Sequence, residues 1–186
     1  HGFIKAAFDL GASAVLTQRD TELLVDKTIV KVEDTLKAFG DIAKYYKQKY
    51  NVPTVSVTGS VGKTTTKDML ASVLSQKYNT LKTMGNFNNE IGLPITIFGL
   101  EKEHEAAVLE MGMNHFGEIE HLADIGRPDV AVITNIGQSH IENLGSRKGI
   151  FKAKMEMTKL FTKDNTLIVN GDDDYLSKTK GMGEYK

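Results

Sequence analysis

Seven consecutive residues, Gly59-Ser60-Val61-Gly62-Lys63-Thr64-Thr65, carry the clearest chemistry in this chain. Glycines let backbone N–H groups close around phosphate oxygens, and a helix starting directly afterwards presents its positive end to them. In that setting Lys63 reaches the β- and γ-phosphates of a nucleoside triphosphate, and the Thr64 hydroxyl holds Mg²⁺. The pattern is compressed, because a full Walker loop has a glycine five residues before Gly62, where Val57 stands. The competing reading is a tight strand-to-helix turn with a chance Gly-Lys-Thr. The β-branched run Thr54-Val55-Ser56-Val57 before the loop and the helical pattern after it favour phosphate binding.

Four further features are candidates for the same chemistry. The strand Ala106-Ala107-Val108-Leu109-Glu110 ends in a carboxylate able to anchor Mg²⁺, although many strands end in an acid for no such reason. Thr134-Asn135-Ile136-Gly137-Gln138-Ser139-His140 leaves another strand at its carboxyl end, where open α/β sheets place ligands. His140 is there either a metal or phosphate contact or simply a solvated loop histidine. Over 147–161, Ile150, Ala153, Met157, Leu160 and Phe161 share one helical face, and Lys154 falls only ~70° from its centre. Such a lysine either snorkels outward or has a task, and spacing alone favours snorkelling. Finally, Gly85-Asn86-Phe87-Asn88-Asn89-Glu90-Ile91-Gly92-Leu93-Pro94 is dense in turn residues that can also bind a ligand. Asn88, Asn89 and Glu90 are its candidate substrate contacts.

The elements that must position these groups alternate in type. A helix over 3–10 is followed by short strands at 14–16 and 29–32. A helix over 34–49, with Leu36, Phe39, Ala43 and Tyr46 at helical spacing, reads as a connector. After residue 50 come a strand and the phosphate loop, then a helix with Met69, Leu70, Val73 and Leu74 on one face. Further strands are expected near 80–81, 106–110, 130–134 and 167–170, with helices near 118–123 and 147–161. Alternation of this kind predicts an α/β fold, a mostly parallel sheet with helices on both faces.

Composition excludes several classes. The chain has 186 residues, 40% hydrophobic and 25% charged, with a formal net charge of -1. That balance offers no bulk attraction for nucleic acid or an anionic membrane. There is no cysteine, which rules out a disulfide scaffold, a zinc ribbon and thiol catalysis, and fits a reducing compartment. No apolar run of about 18 residues occurs, and residues 1–10 lack a secretory pattern. A cytoplasmic protein is expected. The run Asp172-Asp173-Asp174 is too short for an acidic tail.

These motifs, in this order, resemble the Mur ligase superfamily, which also includes the folylpolyglutamate synthetases. The resemblance rests on residues 57–68, on 85–94, on Leu109-Glu110-Met111-Gly112-Met113, on Thr134-Asn135-Ile136-Gly137 with His140, and on Ala153-Lys154. It extends over nearly the whole chain, since His1-Gly2-Phe3-Ile4 and Gly11-Ala12 resemble the end of the family's uridine-nucleotide domain. It implies that 1–32 finish an N-terminal UDP-sugar-binding domain, that 33–50 connect, and that 51–186 are an incomplete central ATP-binding domain, with the C-terminal domain absent and the fragment inactive alone.

The Asn-Phe-Asn-Asn and Glu-Met-Gly-Met stretches favour the member that joins D-alanyl-D-alanine to UDP-N-acetylmuramoyl-tripeptide, as a monomer, through an acyl-phosphate. By the same resemblance ATP and Mg²⁺ are the cofactors. Gly59, Ser60, Val61, Gly62, Lys63, Thr64 and Thr65 bind the nucleotide. Thr64 and Glu110 hold one Mg²⁺, while His140 and a carbamoylated Lys154 attend the second. Lys63, Glu110, His140 and Lys154 form the catalytic set. Val61 departs from the Asn that many relatives carry. Two alternatives stay open: another Mur-type or folylpolyglutamate-type ligase, or a non-catalytic P-loop module. A guanine-reading Asn-Lys-x-Asp sequence, expected of a switch, is missing.

Overall fold

Thr54–Thr58 alternates β-branched residues with serine, and such side chains pack well on a pleated surface covered on both faces. The computed structural model, which describes residues 2–20 and 26–186, makes this segment the centre of a five-stranded sheet. His1, part of the N-terminal resemblance, lies outside the described residues. Numbered along the chain, the strands are β1 (Ala14–Thr17), β2 (Thr28–Lys31), β3 (Thr54–Thr58), β4 (Thr80–Lys82), β5 (Ala106–Glu110), β6 (Val130–Ile133) and β7 (Thr166–Val169). The helices are α1 (Ile4–Asp9), α2 (Thr35–Gln48), α3 (Lys63–Leu74), α4 (Gly92–Phe98), α5 (Glu118–Gly126), α6 (Ile141–Leu144) and α7 (Arg147–Met155). The large sheet runs β4-β5-β3-β6-β7 and every pairing in it is parallel. β1 and β2 form a separate parallel pair. The expected mostly parallel α/β architecture is thus the observed one.

One face of the sheet carries the larger core. Leu109, Ala131 and Ile133 there meet Leu93 and Ile97 of α4 and Ile119, Leu122 and Ile125 of α5. α3 covers the other face through Ala71, Leu70 and Leu74 against Val57 and Val108. The helix read as a connector is more than that. Asp34 caps α2 by accepting from the amides of Leu36 and Lys37. Tyr46 and Phe39 lie against Phe98 of α4, and Lys44 pairs with Asp124 of α5 at 2.8 Å. α2 therefore belongs to the α4–α5 layer.

Two helical faces differ from their sequence reading. Met69 and Val73 are exposed, and the buried positions of α3 are Lys67 and Ala71, so the inward face is turned by roughly a quarter of a revolution at ~100° per residue. The cause is polar: the Lys67 ammonium donates to the Thr83 carbonyl at 2.9 Å and lies 3.3 Å from the Asp68 carboxylate. The last helix is also shorter than expected. α7 ends at Met155, a 3₁₀ turn spans Glu156–Thr158, and Leu160 is exposed. Among the described residues, no helix is long and apolar enough to cross a membrane.

Candidate functional site

The glycine-rich loop over 59–65 emerges from the end of β3 and is shaped by two glycines. Gly59 has φ 155°, and a Cβ there would stand 1.8 Å from Thr134 Oγ1, so no other residue fits. Gly62, with φ 80°, is the left-handed N-cap of α3, and no side chain caps that helix. Its first-turn amides therefore lack a side-chain partner beside exposed Thr64 and Thr65, the arrangement in which a helix end receives an anion. Lys63 folds back over the loop and donates to the Gly59 carbonyl at 2.9 Å. The strand–loop–helix context read from the sequence is present.

Glu110 ends β5 beside this loop, with Val57 as its register partner on β3. Its side chain is 1% exposed. Oε1 accepts from Asn88 Nδ2 at 2.8 Å, whereas Oε2 is buried with no hydrogen-bond partner among the described residues. A buried carboxylate oxygen left bare is costly unless a cation completes it. On that observation the residues fit Mg²⁺. Asn88 also accepts the Gly112 amide at 2.8 Å through its carbonyl. A Cβ on Gly112 would press on the Asn88 carboxamide at 3.1 Å. The Gly/Asn-rich loop and the Glu-Met-Gly stretch, separate in sequence, are one structure here.

Lys154 does not snorkel. It is 2% exposed, and its ammonium has no hydrogen-bond or ion-pair partner among the described residues. Burial, with the Lys63 charge nearby, lowers its pKa from the usual 10.5 to about 7. A large fraction is then neutral amine at physiological pH, which an exposed lysine is not. The shortened helix helps to place it. Just beyond α7, Glu156 turns inward and accepts the Gly117 amide with both carboxylate oxygens, at 3.0 and 2.9 Å, tying α7 to the start of α5.

Not every candidate converges in the same way. His140 is the left-handed N-cap of α6, with φ 63°, and is half-buried. Among the described residues no three His, Asp or Glu side chains gather as a metal cage. In the substrate-candidate loop, Asn89 Oδ1 accepts the amides of Ile91 and Gly92 at 3.1 and 2.8 Å, starting α4. Asn89 and Glu90 also line a cavity of about 140 Å³ with Gly112, Glu118 and His121. Sequence reasoning gave Asn135, Arg147, Lys67 and Glu156 no role of their own, although Asn135 lies in a stretch it singled out. Lys67 had a readable signal: with Lys63 and Ala71 it continues an i, i+4 row along α3.

A family model for the Mur ligase middle domain matches residues 57–185. A UDP-N-acetylmuramoyl-tripeptide–D-alanyl-D-alanine ligase of Bacillus subtilis is 45% identical over 193 residues, spanning all of this chain and 42% of its own length. Among solved structures, MurF from Acinetobacter baumannii superimposes with a TM-score of 0.92 at 36% identity, covering all of this chain and 41% of that one. MurF ligase from Thermotoga maritima in complex with ADP gives a TM-score of 0.90 at 36% identity, with 100% and 43% covered. The chain thus spans about two fifths of the length of these relatives.

Proposed function

The chain belongs to the Mur ligase family, and from that premise we propose that it is the ATP-binding part of a ligase that joins D-alanyl-D-alanine to UDP-N-acetylmuramoyl-tripeptide through an acyl-phosphate. Residues 51–186 are the ATP-binding domain in this reading, 33–50 its connector, and 1–32 the end of a UDP-sugar-binding domain. The observation that carries it is the bare, buried Glu110 Oε2 next to a phosphate loop whose helix end is uncapped. That pair is a cation site facing an anion site, as a metal–nucleotide complex requires.

ATP phosphorylates the terminal carboxylate of the tripeptide, and the free amine of D-alanyl-D-alanine displaces phosphate through a tetrahedral intermediate. The chain's part is positioning and charge neutralisation. The amides opening α3 and the Lys63 ammonium hold the β- and γ-phosphates within residues 59–65. Thr64 and Glu110 would hold one Mg²⁺, and His140 with Lys154 would attend a second. Bound there, the metal neutralises phosphoryl charge as it is transferred. Lys154 serves as a carbamate: its buried neutral amine adds to the carbon of CO₂ and gives up a proton to solvent, and the resulting carbamate is an anion that matches a cation site. Asn88 keeps Glu110 aimed by holding Oε1. The density of ligand-capable turn residues over 85–94, with the cavity that Asn89 and Glu90 line, supports substrate contact by Asn88, Asn89 and Glu90.

The test is ADP release by the full-length protein. Release that requires both UDP-N-acetylmuramoyl-tripeptide and D-alanyl-D-alanine, and that Lys63→Ala abolishes, is the expected result. Release with folate and glutamate instead, or unchanged turnover in Lys63→Ala, defeats the reading.

A further inference from the structure

The compressed phosphate loop lacks the first glycine of a full Walker loop, so something other than its own sequence must hold its first half open. Val61 is exposed, yet both polar groups of its backbone are gripped from the segment that follows β6. Its amide donates to Asn135 Oδ1 at 3.0 Å, and its carbonyl accepts from Thr134 Oγ1 at 2.6 Å. Asn135 Oδ1 also accepts the Ser60 amide at 3.0 Å, and shares it with the Asn135 backbone carbonyl at 3.1 Å. Two donors facing one atom identify it as the carboxamide oxygen, since the amide nitrogen has no acceptor capacity. Ser60 Oγ in turn accepts the Gly137 amide at 2.8 Å.

A second grip lies behind the first. Ile136, next along the chain, has its amide held by Asp173 Oδ2 at 2.8 Å and its carbonyl by Arg147 Nη2 at 2.8 Å. Arg147 also pairs with Asp174, Nη1 to Oδ2 at 3.0 Å, and its guanidinium lies 4.8 Å from the Tyr175 ring centroid. Burial works against the Asp173 carboxylate, but the amides of Ile136, Leu176 and Tyr175 outweigh it and keep its pKa below the ordinary range. Asp173, directly, and Asp174, through Arg147, therefore clamp the segment that carries Asn135.

We propose that Asn135 is a positioning residue for nucleotide binding, its carboxamide oxygen pre-forming the phosphate loop through the Ser60 and Val61 amides, with Arg147 and Asp173 fixing Asn135 in turn. This rests on the reading of residues 59–65 as the ATP phosphate site. The staple touches neither phosphate nor metal. It removes the ordering that nucleotide binding would otherwise have to impose on a glycine-rich loop. The Val61 amide bond and a share of the Ser60 one are at stake, so Asn135→Ala should raise the KM for ATP about tenfold, equivalent to about 1.4 kcal/mol. kcat should stay within about twofold, because the groups on the γ-phosphoryl are untouched.

The experiment uses the full-length protein and combines ATP kinetics with amide hydrogen exchange without nucleotide. Asn135→Ala should expose the Val61 amide to exchange, whereas the Ser60 amide keeps the Asn135 backbone carbonyl as acceptor. Asn135→Asp keeps an acceptor oxygen in place and should restore the protection of Val61. An unchanged KM for ATP in Asn135→Ala overturns the proposal, as does failure of Asn135→Asp to protect the Val61 amide. Should Asn135→Ala not fold, the exchange result for Asn135→Asp decides alone. Lys63→Ala separates the two layers: if it leaves ATP binding intact, the phosphate-site reading is at fault, and if it abolishes binding while Asn135→Ala does not weaken it, only the staple is wrong.

Discussion

Replacing Lys154 by Met should flatten the dependence of stability on pH. Methionine keeps an unbranched, similarly long stem and removes only the charge. The Lys154 pKa is about 7 in the folded chain against 10.5 ordinarily. At about 1.36 kcal/mol per tenfold step, keeping this ammonium buried costs about 5 kcal/mol. Because the side chain is 2% exposed, solvent screening does not reduce that figure much. Between about pH 7 and 10.5 the unfolded chain binds the proton and the folded chain does not, so stability rises with pH through that window. Below about 7 both forms are protonated and the penalty is fully present. Integrated from pH 6.5 to 8.5, the gain is about 2 kcal/mol. Urea unfolding of this chain in CO₂-free buffer measures it, as a midpoint shift of about 1 M for a chain of this size. Subtracting the Lys154→Met series isolates the one residue from other titrating groups, among them Lys47, whose pKa burial also lowers. Equal pH slopes in the two proteins would refute the buried-amine reasoning.

With ¹³C-labelled bicarbonate at pH 8, the parent should show a carbamate carbon resonance that Lys154→Arg lacks, because a guanidinium offers no neutral amine; a resonance persisting in that variant assigns the adduct elsewhere. Gly59→Ala must push a Cβ into Thr134 Oγ1, 1.8 Å away, at a φ of 155°, and should lose about 3 kcal/mol in urea titration together with nucleotide binding. Asp34→Ala removes the carboxylate that caps α2 and should lower stability by about 1 kcal/mol, while Asp34→Ser should recover most of it. Glu156→Ala strands the Gly117 amide and should destabilise by about 2 kcal/mol, with Glu156→Gln recovering part because one acceptor remains.

Much of the fold was legible because its determinants are local. Runs rich in β-branched residues marked β3 and β6, and an apolar run ending in Glu110 marked β5. Gly59 and Gly62 announced a loop whose backbone only glycine accepts, and Asp34 announced the start of α2. Alternation of elements sufficed to predict a parallel sheet, since parallel neighbours need a crossover between them. Whatever depended on polar contacts across the chain was not legible. Apolar periodicity placed Met69 and Val73 inward on α3, yet Lys67 took the buried side because the Thr83 carbonyl was there to receive it. The same periodicity ran the last helix to residue 161, past the point where Glu156 turns to Gly117.

By itself the sequence determined the order of strands and helices, the position of the glycine-rich strand-to-helix loop, and the short set of residues able to do chemistry beside it. Only the tertiary structure decided how those residues stand. It left Glu110 Oε2 bare and buried and brought Asn88 onto the same carboxylate. It closed Asn135 over amides 74 and 75 residues away and sank Lys154 out of water. The reason is physical: residue type and spacing report the direction of a side chain from its own element. Its desolvation, and the partner that satisfies it, are supplied by other elements, so both come into being only when the layers pack.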